Sequence, residues 1–127
     1  MKVLLIIIDG ASYKIIEKIK DKLPTINKLI NSGFYGKLES VFPSLTPIAL
    51  ASLITGNLPE HNGITAPKIF IKGRSLSSPL SAFSSEGLKS DPIWAYLGKH
   101  GYKVTVTSNP QALPDKWKIK DVILPLI

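Results

Sequence analysis

The sequence predicts an α/β fold in which a mostly parallel sheet is sandwiched between helices. The first observation is the run VLLIII, Val3 to Ile8, which is rich in β-branched residues and apolar on both alternating faces. Such a run is typical of a central strand that helices cover on both sides. The second observation is that helical patterns follow and alternate with further strand-like segments. This order indicates a doubly wound sheet with right-handed crossovers.

Two helical patterns follow the first strand. SYKIIEKIKDKL places isoleucines on one side and lysines on the other, and Pro24 ends the pattern. LPTINKLINSG predicts a second helix that closes at Gly33 in a left-handed cap. FYGKLESVF then alternates as a second strand would.

The later elements are shorter. Pro47 to Thr55 predicts an apolar, buried helix that ends at Gly56. Residues 66–90 are rich in Ser, Gly and Pro, which predicts an irregular excursion of the kind that often borders a ligand site. Beyond it the sequence predicts a helix in PIWAYLGKHG and strands in YKVTVTS and DVILPLI.

The length and composition predict a single domain over residues 1–127. The chain has no cysteine, so disulfides and thiolate metal sites are excluded and metal ligands must be oxygen or imidazole groups. The apolar run near the start is too short for a signal peptide or a membrane span. We therefore expect a cytoplasmic location.

The formal net charge of +7 comes from 16 basic and 9 acidic residues, and Arg74 is the sole arginine. Nucleic-acid readers depend on arginine forks, whereas these lysines have the spacing of solvated helix faces. We expect neither a nucleic-acid nor a membrane partner. A general attraction for small anionic ligands remains.

Asp9 ends the first predicted strand and precedes Gly10. Ligands of open parallel sheets bind beyond the carboxyl ends of the strands, and a carboxylate there suits a hard metal ion or zinc. An alternative role is to cap the turn or helix that begins at Ser12. Asp9 alone does not decide between these roles.

Thr46 precedes Pro47, a residue type that favours the first position of a helix, so Thr46 is the predicted N-cap. Its hydroxyl would lie beside unpaired N–H groups at the positive end of the helix dipole, where a phosphoryl oxygen is stabilised. A metal ion held by Asp9 would lower the pKa of that hydroxyl and make it a nucleophile. The alternative is a threonine that only caps the helix.

Three separated blocks occur in an order that resembles the type I phosphodiesterase/nucleotide pyrophosphatase family of the alkaline phosphatase superfamily. They are VLLIIIDGAS, the stretch from LPTINKLINSG to GNLPEHNGI, and SDPIWAYLGKHGYKVTVTSNP. The resemblance implies an alkaline phosphatase-like three-layer α/β/α fold and small phosphate ester or diester substrates. It also implies two divalent metal ions of the zinc type, with Asp9 as a ligand, and a nucleophilic Thr46 that becomes transiently phosphorylated at the metal site.

The chain departs from this family at three places. Many nucleotide pyrophosphatases have an asparagine three residues after the nucleophile, where this chain has Ala49. The family usually has a histidine before the Gly-Ile pair, where this chain has Asn62, with His61 one place earlier. We expect His61 to be structural or at the surface, and His100 to complement the dipole at a helix end.

The third departure is the absence of the later Asp and His ligands with which the family completes its two-metal site. The resemblance therefore covers the N-terminal portion of such a domain, and the fold and active site are expected to be incomplete. We expect this chain alone to be inactive and its natural form to extend past Ile127. A missing downstream segment or a second copy in a homo-oligomer would cover the apolar edge at Val122–Ile127.

Two functions from different classes follow. The first is a metal-dependent phosphoesterase that acts through Thr46. The alternative is a non-catalytic binding or assembly domain that retains the fold without the metal-binding half. A haloacid-dehalogenase-type phosphatase also begins with a strand that ends in Asp, but it needs a second Asp at position 11, which is Ala11.

Overall fold

The structure is a computed structural model that describes residues 2–107 and the backbone of residues 122 and 123. The chain divides into two compact units, Met1–Glu39 and Ser40–Ile127.

The first unit contains two helices. Helix α1 spans Tyr13–Ile19, continues as a 3₁₀ turn at Lys20–Lys22, and is followed by α2 at Pro24–Ser32. Pro24 stands at the start of α2, where its missing N–H costs nothing. The two predicted helices are thus confirmed.

Gly33 does not adopt the predicted left-handed cap. Its φ is −131° and its ψ is −158°, so the chain leaves α2 directly into an extended segment. The prediction of a left-handed turn was wrong because that turn serves to reverse the chain, and here the backbone continues without a reversal.

Two tyrosine rings pack against each other in the first unit. The rings of Tyr13 and Tyr35 stack with centroids 5.2 Å apart and planes inclined by 21°. Burial raises the pKa of the Tyr35 hydroxyl above its ordinary value, and the nearby Glu17 carboxylate raises it further. Glu17 also pairs with Lys20 at 3.3 Å.

The predicted strands at the start of the chain are not confirmed. The structure assigns no strand to Val3–Ile8 or to the segment 34–42. The side chains of Val3–Ile8 are exposed, Leu4 at 83% and Ile7 at 47%. A central strand needs a neighbour for its N–H and C=O groups, and no strand among the described residues pairs with this one. The predicted parallel sandwich is therefore not confirmed either.

The second unit begins with two helices joined by a tight corner. Helix α3 spans Thr46–Thr55 and α4 spans Pro59–Asn62. The predicted cap at Gly56 is confirmed, because this residue has a φ of 66° and its N–H donates to the carbonyl of Ser52.

Two short strand pairs follow in the second unit. Strands β1, Lys68–Ile69, and β2, Leu80–Ser81, form an antiparallel pair, and a 3₁₀ turn at Ser85–Gly87 comes next. Within the segment 66–90, predicted as an irregular excursion, these short elements lie among turns and bends. Helix α5 at Ile93–Lys99 leads to β3, Val104–Thr105, which pairs in parallel with β4, Val122–Ile123. Residues 124–127 of the predicted apolar edge lie outside the described residues.

The hydrophobic core lies in the second unit. Helix α3 is apolar on nearly every face and buries residues at three-residue spacing, which confirms its predicted burial. Ile64 after α4, the segment 66–90 and α5 supply the rest, so the core consists of Ile48, Ala51, Ile54, Ile64, Ala82, Leu88, Trp94 and Ala95.

No helix within the described part of the chain is both long and apolar enough to cross a membrane.

Candidate functional site

Thr46 is the first residue of α3, and it is exposed. The structure makes Leu45 the N-cap, so the predicted capping role of Thr46 was wrong by one position. No side-chain hydrogen bond caps this helix, so its first residue is set by the backbone angles alone. Sequence patterns do not fix such a boundary to within one residue. The Thr46 hydroxyl is therefore not used in holding the helix start.

The backbone of this helix start leaves one N–H donor without a partner among the described residues. The Leu45 carbonyl accepts from the N–H groups of Ile48 at 3.0 Å and Ala49 at 2.9 Å. Pro47 has no N–H. Within the described residues the Thr46 N–H donates no backbone hydrogen bond, as expected for the first turn of a helix. An exposed hydroxyl and a free N–H thus share one residue at the positive end of the helix dipole.

Helix α3 holds this end in place through its buried face. Ile48, Ala51 and Ile54 are almost completely buried. At the other end the Thr55 hydroxyl donates to the Ala51 carbonyl at 2.7 Å. Because the buried residues begin with Pro47, directly after Thr46, the exposed helix start is anchored to the packed core.

Asn62 is the best satisfied polar side chain near this helix, and it is fully buried. Its amide nitrogen donates to the Ser52 hydroxyl at 3.2 Å and to the Asn57 carbonyl at 2.9 Å. Its amide oxygen accepts from the Ile64 N–H at 2.9 Å. One side chain thus joins α3, the corner after it and the chain beyond α4.

Sequence reasoning noticed Asn62 only as a departure from a family pattern and missed this structural role. The signal was present in the sequence as an asparagine directly before a glycine at a helix end. Such a position favours side-chain hydrogen bonds to nearby backbone groups.

The two histidines lie where the sequence predicts them, His61 at the surface and His100 at a helix end. His61 lies on α4 with its side chain 69% exposed, and its ring nitrogen is 4.0 Å from the Glu60 carboxylate. His100 is the C-cap of α5, where its Nδ1 lies 2.8 Å from the Tyr96 carbonyl. Its ring also packs on the Tyr96 ring, with centroids 4.3 Å apart. The predicted capping role of His100 is confirmed.

Asp9 is exposed in a turn with Gly10, whose φ is 73°. Ser12, and not Asp9, is the N-cap of α1, and its hydroxyl accepts from the Ile15 N–H at 3.4 Å. The alternative role of Asp9 as a cap for that helix is therefore not found. Asp9 belongs to the first unit and Thr46 to the second, so their predicted proximity stays a prediction.

Ala49 occupies the place of the family's asparagine. Its side chain is half-buried and its N–H is used within the helix, so this position offers no side-chain donor to an anion beside Thr46. The described residues also contain no group of three or more His, Asp or Glu side chains that could hold a metal ion. The implied two-metal centre therefore does not fit the part of the chain that the structure describes, because a bound zinc ion needs at least three protein ligands.

A comparison with models of known protein families shows which family the chain belongs to. A family model described as type I phosphodiesterase/nucleotide pyrophosphatase matches residues 3–120. The chain belongs to this family. The match spans both Asp9 and Thr46, and members of the family are hydrolases of phosphoric esters. No curated protein and no solved structure matches the chain significantly.

Proposed function

We propose that the chain is the nucleophile-bearing part of a phosphoesterase of the phosphodiesterase/nucleotide pyrophosphatase type. The single observation that carries this proposal is Thr46, which has an exposed hydroxyl and a free N–H at the start of a buried helix. The family match spans this residue. The substrate class is a small phosphate ester or diester.

The proposed reaction has two displacements at phosphorus. The Thr46 oxygen gives up its proton to water and forms a bond to phosphorus while the bond to the ester oxygen breaks. The leaving group departs with that electron pair and takes a proton from water. Water then attacks the phosphothreonine, and the threonine oxygen leaves and is protonated again. Thr46 is unchanged after the cycle, and the net reaction is hydrolysis.

The helix end would stabilise the charge that develops on the phosphoryl oxygens. The Thr46 N–H is the available hydrogen-bond donor. Helix α3 is ten residues long, and the positive end of its dipole also favours negative charge at this place. Ala49 adds none, so this chain lacks the side-chain donor of many nucleotide pyrophosphatases. We infer that its affinity for a phosphoryl group depends more strongly on the backbone and on any metal ion than theirs does.

Asp9 is the proposed metal ligand of this chain, and Thr46 the group that its metal ion would approach. Zinc is the expected metal, by resemblance to the family. Because the described residues do not complete a metal centre, we assign no chemical step of this chain to the metal. The three-layer fold with Val3–Ile8 as a central strand belongs to the same proposal, since only that arrangement would bring Asp9 to the rim of the sheet beside Thr46.

Phosphate binding is a better test of the proposal than turnover, because a chain with an incomplete metal centre is expected to be inactive alone. Inorganic phosphate would be titrated into the full chain with zinc present, and the backbone N–H of Thr46 followed by NMR. A saturable shift at Thr46 supports the proposal. The same experiment on Thr65→Ala, which removes another exposed threonine, should give the same shift. A Thr46 N–H that does not respond contradicts the proposal.

The second candidate is a non-catalytic binding or assembly domain. It is favoured by the lack of a metal-ligand cluster among the described residues. Zinc titration by calorimetry and an assay on an aryl phosphodiester separate the two functions. Zinc uptake that is lost in Asp9→Asn supports the phosphoesterase. No uptake together with no turnover leaves the binding domain.

A further inference from the structure

Strand β1 and the connection that follows it carry exposed apolar and basic side chains together. Ile69 packs against the core, so its neighbours Lys68 and Phe70 point away from it. Phe70 is 62% exposed and Leu76, farther along the connection, is 78% exposed. Lys72 is also exposed. We call residues 68–76 the basic-apolar loop.

The loop has defined turns and a clear charge. The Arg74 N–H donates to the Ile71 carbonyl at 3.0 Å, and Gly73 between them has a φ of 90°. Arg74 pairs with Glu86 at 3.3 Å, which ties the loop to the 3₁₀ turn beyond β2. No ion pair within the described residues engages Lys68 or Lys72, and the loop contains no acidic residue.

We propose that the basic-apolar loop docks on an anionic lipid surface. Lysines beside exposed apolar side chains match such a surface in both respects, since the cations face the headgroups and the apolar groups enter the acyl boundary. The aliphatic side chains of Ile71 and Leu76 favour lipid over single-stranded nucleic acid, because they cannot stack on bases as Phe70 could. A chain net charge of +7 adds long-range attraction.

This contact is peripheral and does not require a membrane-spanning helix. It revises the expectation of no membrane partner, which rested on the absence of a membrane-spanning segment. It does not depend on the proposed chemistry at Thr46. Other exposed apolar residues, such as Phe34 and Leu38, are as exposed as those of the loop and serve as controls.

Vesicle co-sedimentation of the full chain tests the proposal. Vesicles of phosphatidylcholine with about 30% phosphatidylserine should bind the chain at least about tenfold more tightly than vesicles of phosphatidylcholine alone. Raising the salt to about 1 M should remove most of this difference, because charges are then screened within about 3 Å. Equal binding to both vesicles, or no binding to either, overturns the proposal.

Paired variants locate the contact. Phe70→Ser with Leu76→Ser should lower the vesicle affinity by at least about tenfold, whereas Phe34→Ser with Leu38→Ser should change it by less than about twofold. Lys72→Gln should lower the affinity about fivefold, and Lys14→Gln, which removes the same charge from α1, by less than about twofold. Equal losses within either pair overturn the assignment to this loop.

A fluorescence variant keeps the test independent of affinity. Phe70→Trp should show a larger blue shift of its emission with the phosphatidylserine vesicles than the wild type, whose two tryptophans give the background, because the added indole then leaves water. An unshifted emission, or a shift produced only by a single-stranded RNA oligonucleotide, overturns the proposal. Unchanged circular dichroism and melting of each variant would show that the chain still folds.

Discussion

The side-chain amide of Asn62 donates to the Ser52 hydroxyl across 3.2 Å and thereby joins α4 to the helix that begins at Thr46. The same amide also makes the hydrogen bonds to Asn57 and Ile64. A fully buried amide with three partners holds the corner between the two helices in one arrangement.

Removing this amide should destabilise the chain strongly. Asn62→Ala leaves a cavity, an unpaired carbonyl at Asn57 and an unpaired N–H at Ile64, which should lower the free energy of unfolding by about 2–4 kcal/mol. Asn31→Ala is the matched control, since Asn31 is exposed and its side chain bonds, among the described residues, to Asn27 alone at 3.3 Å. Urea unfolding followed by circular dichroism measures both. A loss in Asn62→Ala no larger than in the control would contradict this role.

The Thr46 hydroxyl should contribute almost nothing to stability. Thr46→Ala removes an exposed group that caps nothing, so the expected loss is below about 0.5 kcal/mol. A true N-cap threonine would cost about 1–2 kcal/mol. Thr55→Ala removes the hydroxyl bonded to the Ala51 carbonyl and should cost about 1 kcal/mol. A larger loss at Thr46 than at Thr55 would restore the capping interpretation.

Two glycines with similar backbone angles should respond differently to a methyl group. Gly63 has a φ of 86°, and a Cβ there would lie 2.7 Å from the Gly87 carbonyl oxygen. Gly73 has a φ of 90° and open space around it. Gly73→Ala carries only the backbone strain of about 1–2 kcal/mol, whereas Gly63→Ala adds the clash and should cost about 3 kcal/mol or more. Equal losses in thermal unfolding would show that the clash relaxes freely.

Tyr35 gives the fold a dependence on alkaline pH. Burial and the Glu17 carboxylate raise the pKa of its hydroxyl, so the folded chain holds this proton more tightly than the unfolded chain does. The resulting stability is complete below the ordinary tyrosine pKa of about 10 and is lost as pH rises from there through the folded value. Urea unfolding at several alkaline pH values should show a shallower decline in Tyr35→Phe than in the wild type. Parallel declines would contradict the raised pKa.

The local elements could be predicted because their causes are local. Pro47 and Gly56 bracket α3 by their backbone preferences, and the apolar residues between them account for its burial. The predicted start of α3 was wrong by one position, because the N-cap depends on backbone angles at Leu45 that no residue type determines.

The sheet could not be predicted in the same way. A strand such as Val3–Ile8 forms only with a partner, and its pattern does not say which segment supplies one. The pairing of Val104–Thr105 with Val122–Ile123 shows that a parallel pair does form where a partner exists. For the same reason Thr46 could be proposed as a site residue from its own turn chemistry, whereas its relation to Asp9 depends on contacts between distant parts of the chain.

A zinc titration of the full chain followed by NMR is the most direct test of the central proposal that Asp9 and Thr46 share one ion. The Asp9 carboxylate and the Thr46 N–H should shift along the same saturable curve, and both shifts should disappear in Asp9→Asn. Asp21→Asn, which removes another exposed carboxylate, should leave the curve unchanged. A Thr46 response that is absent, or that persists in Asp9→Asn, would contradict the claim.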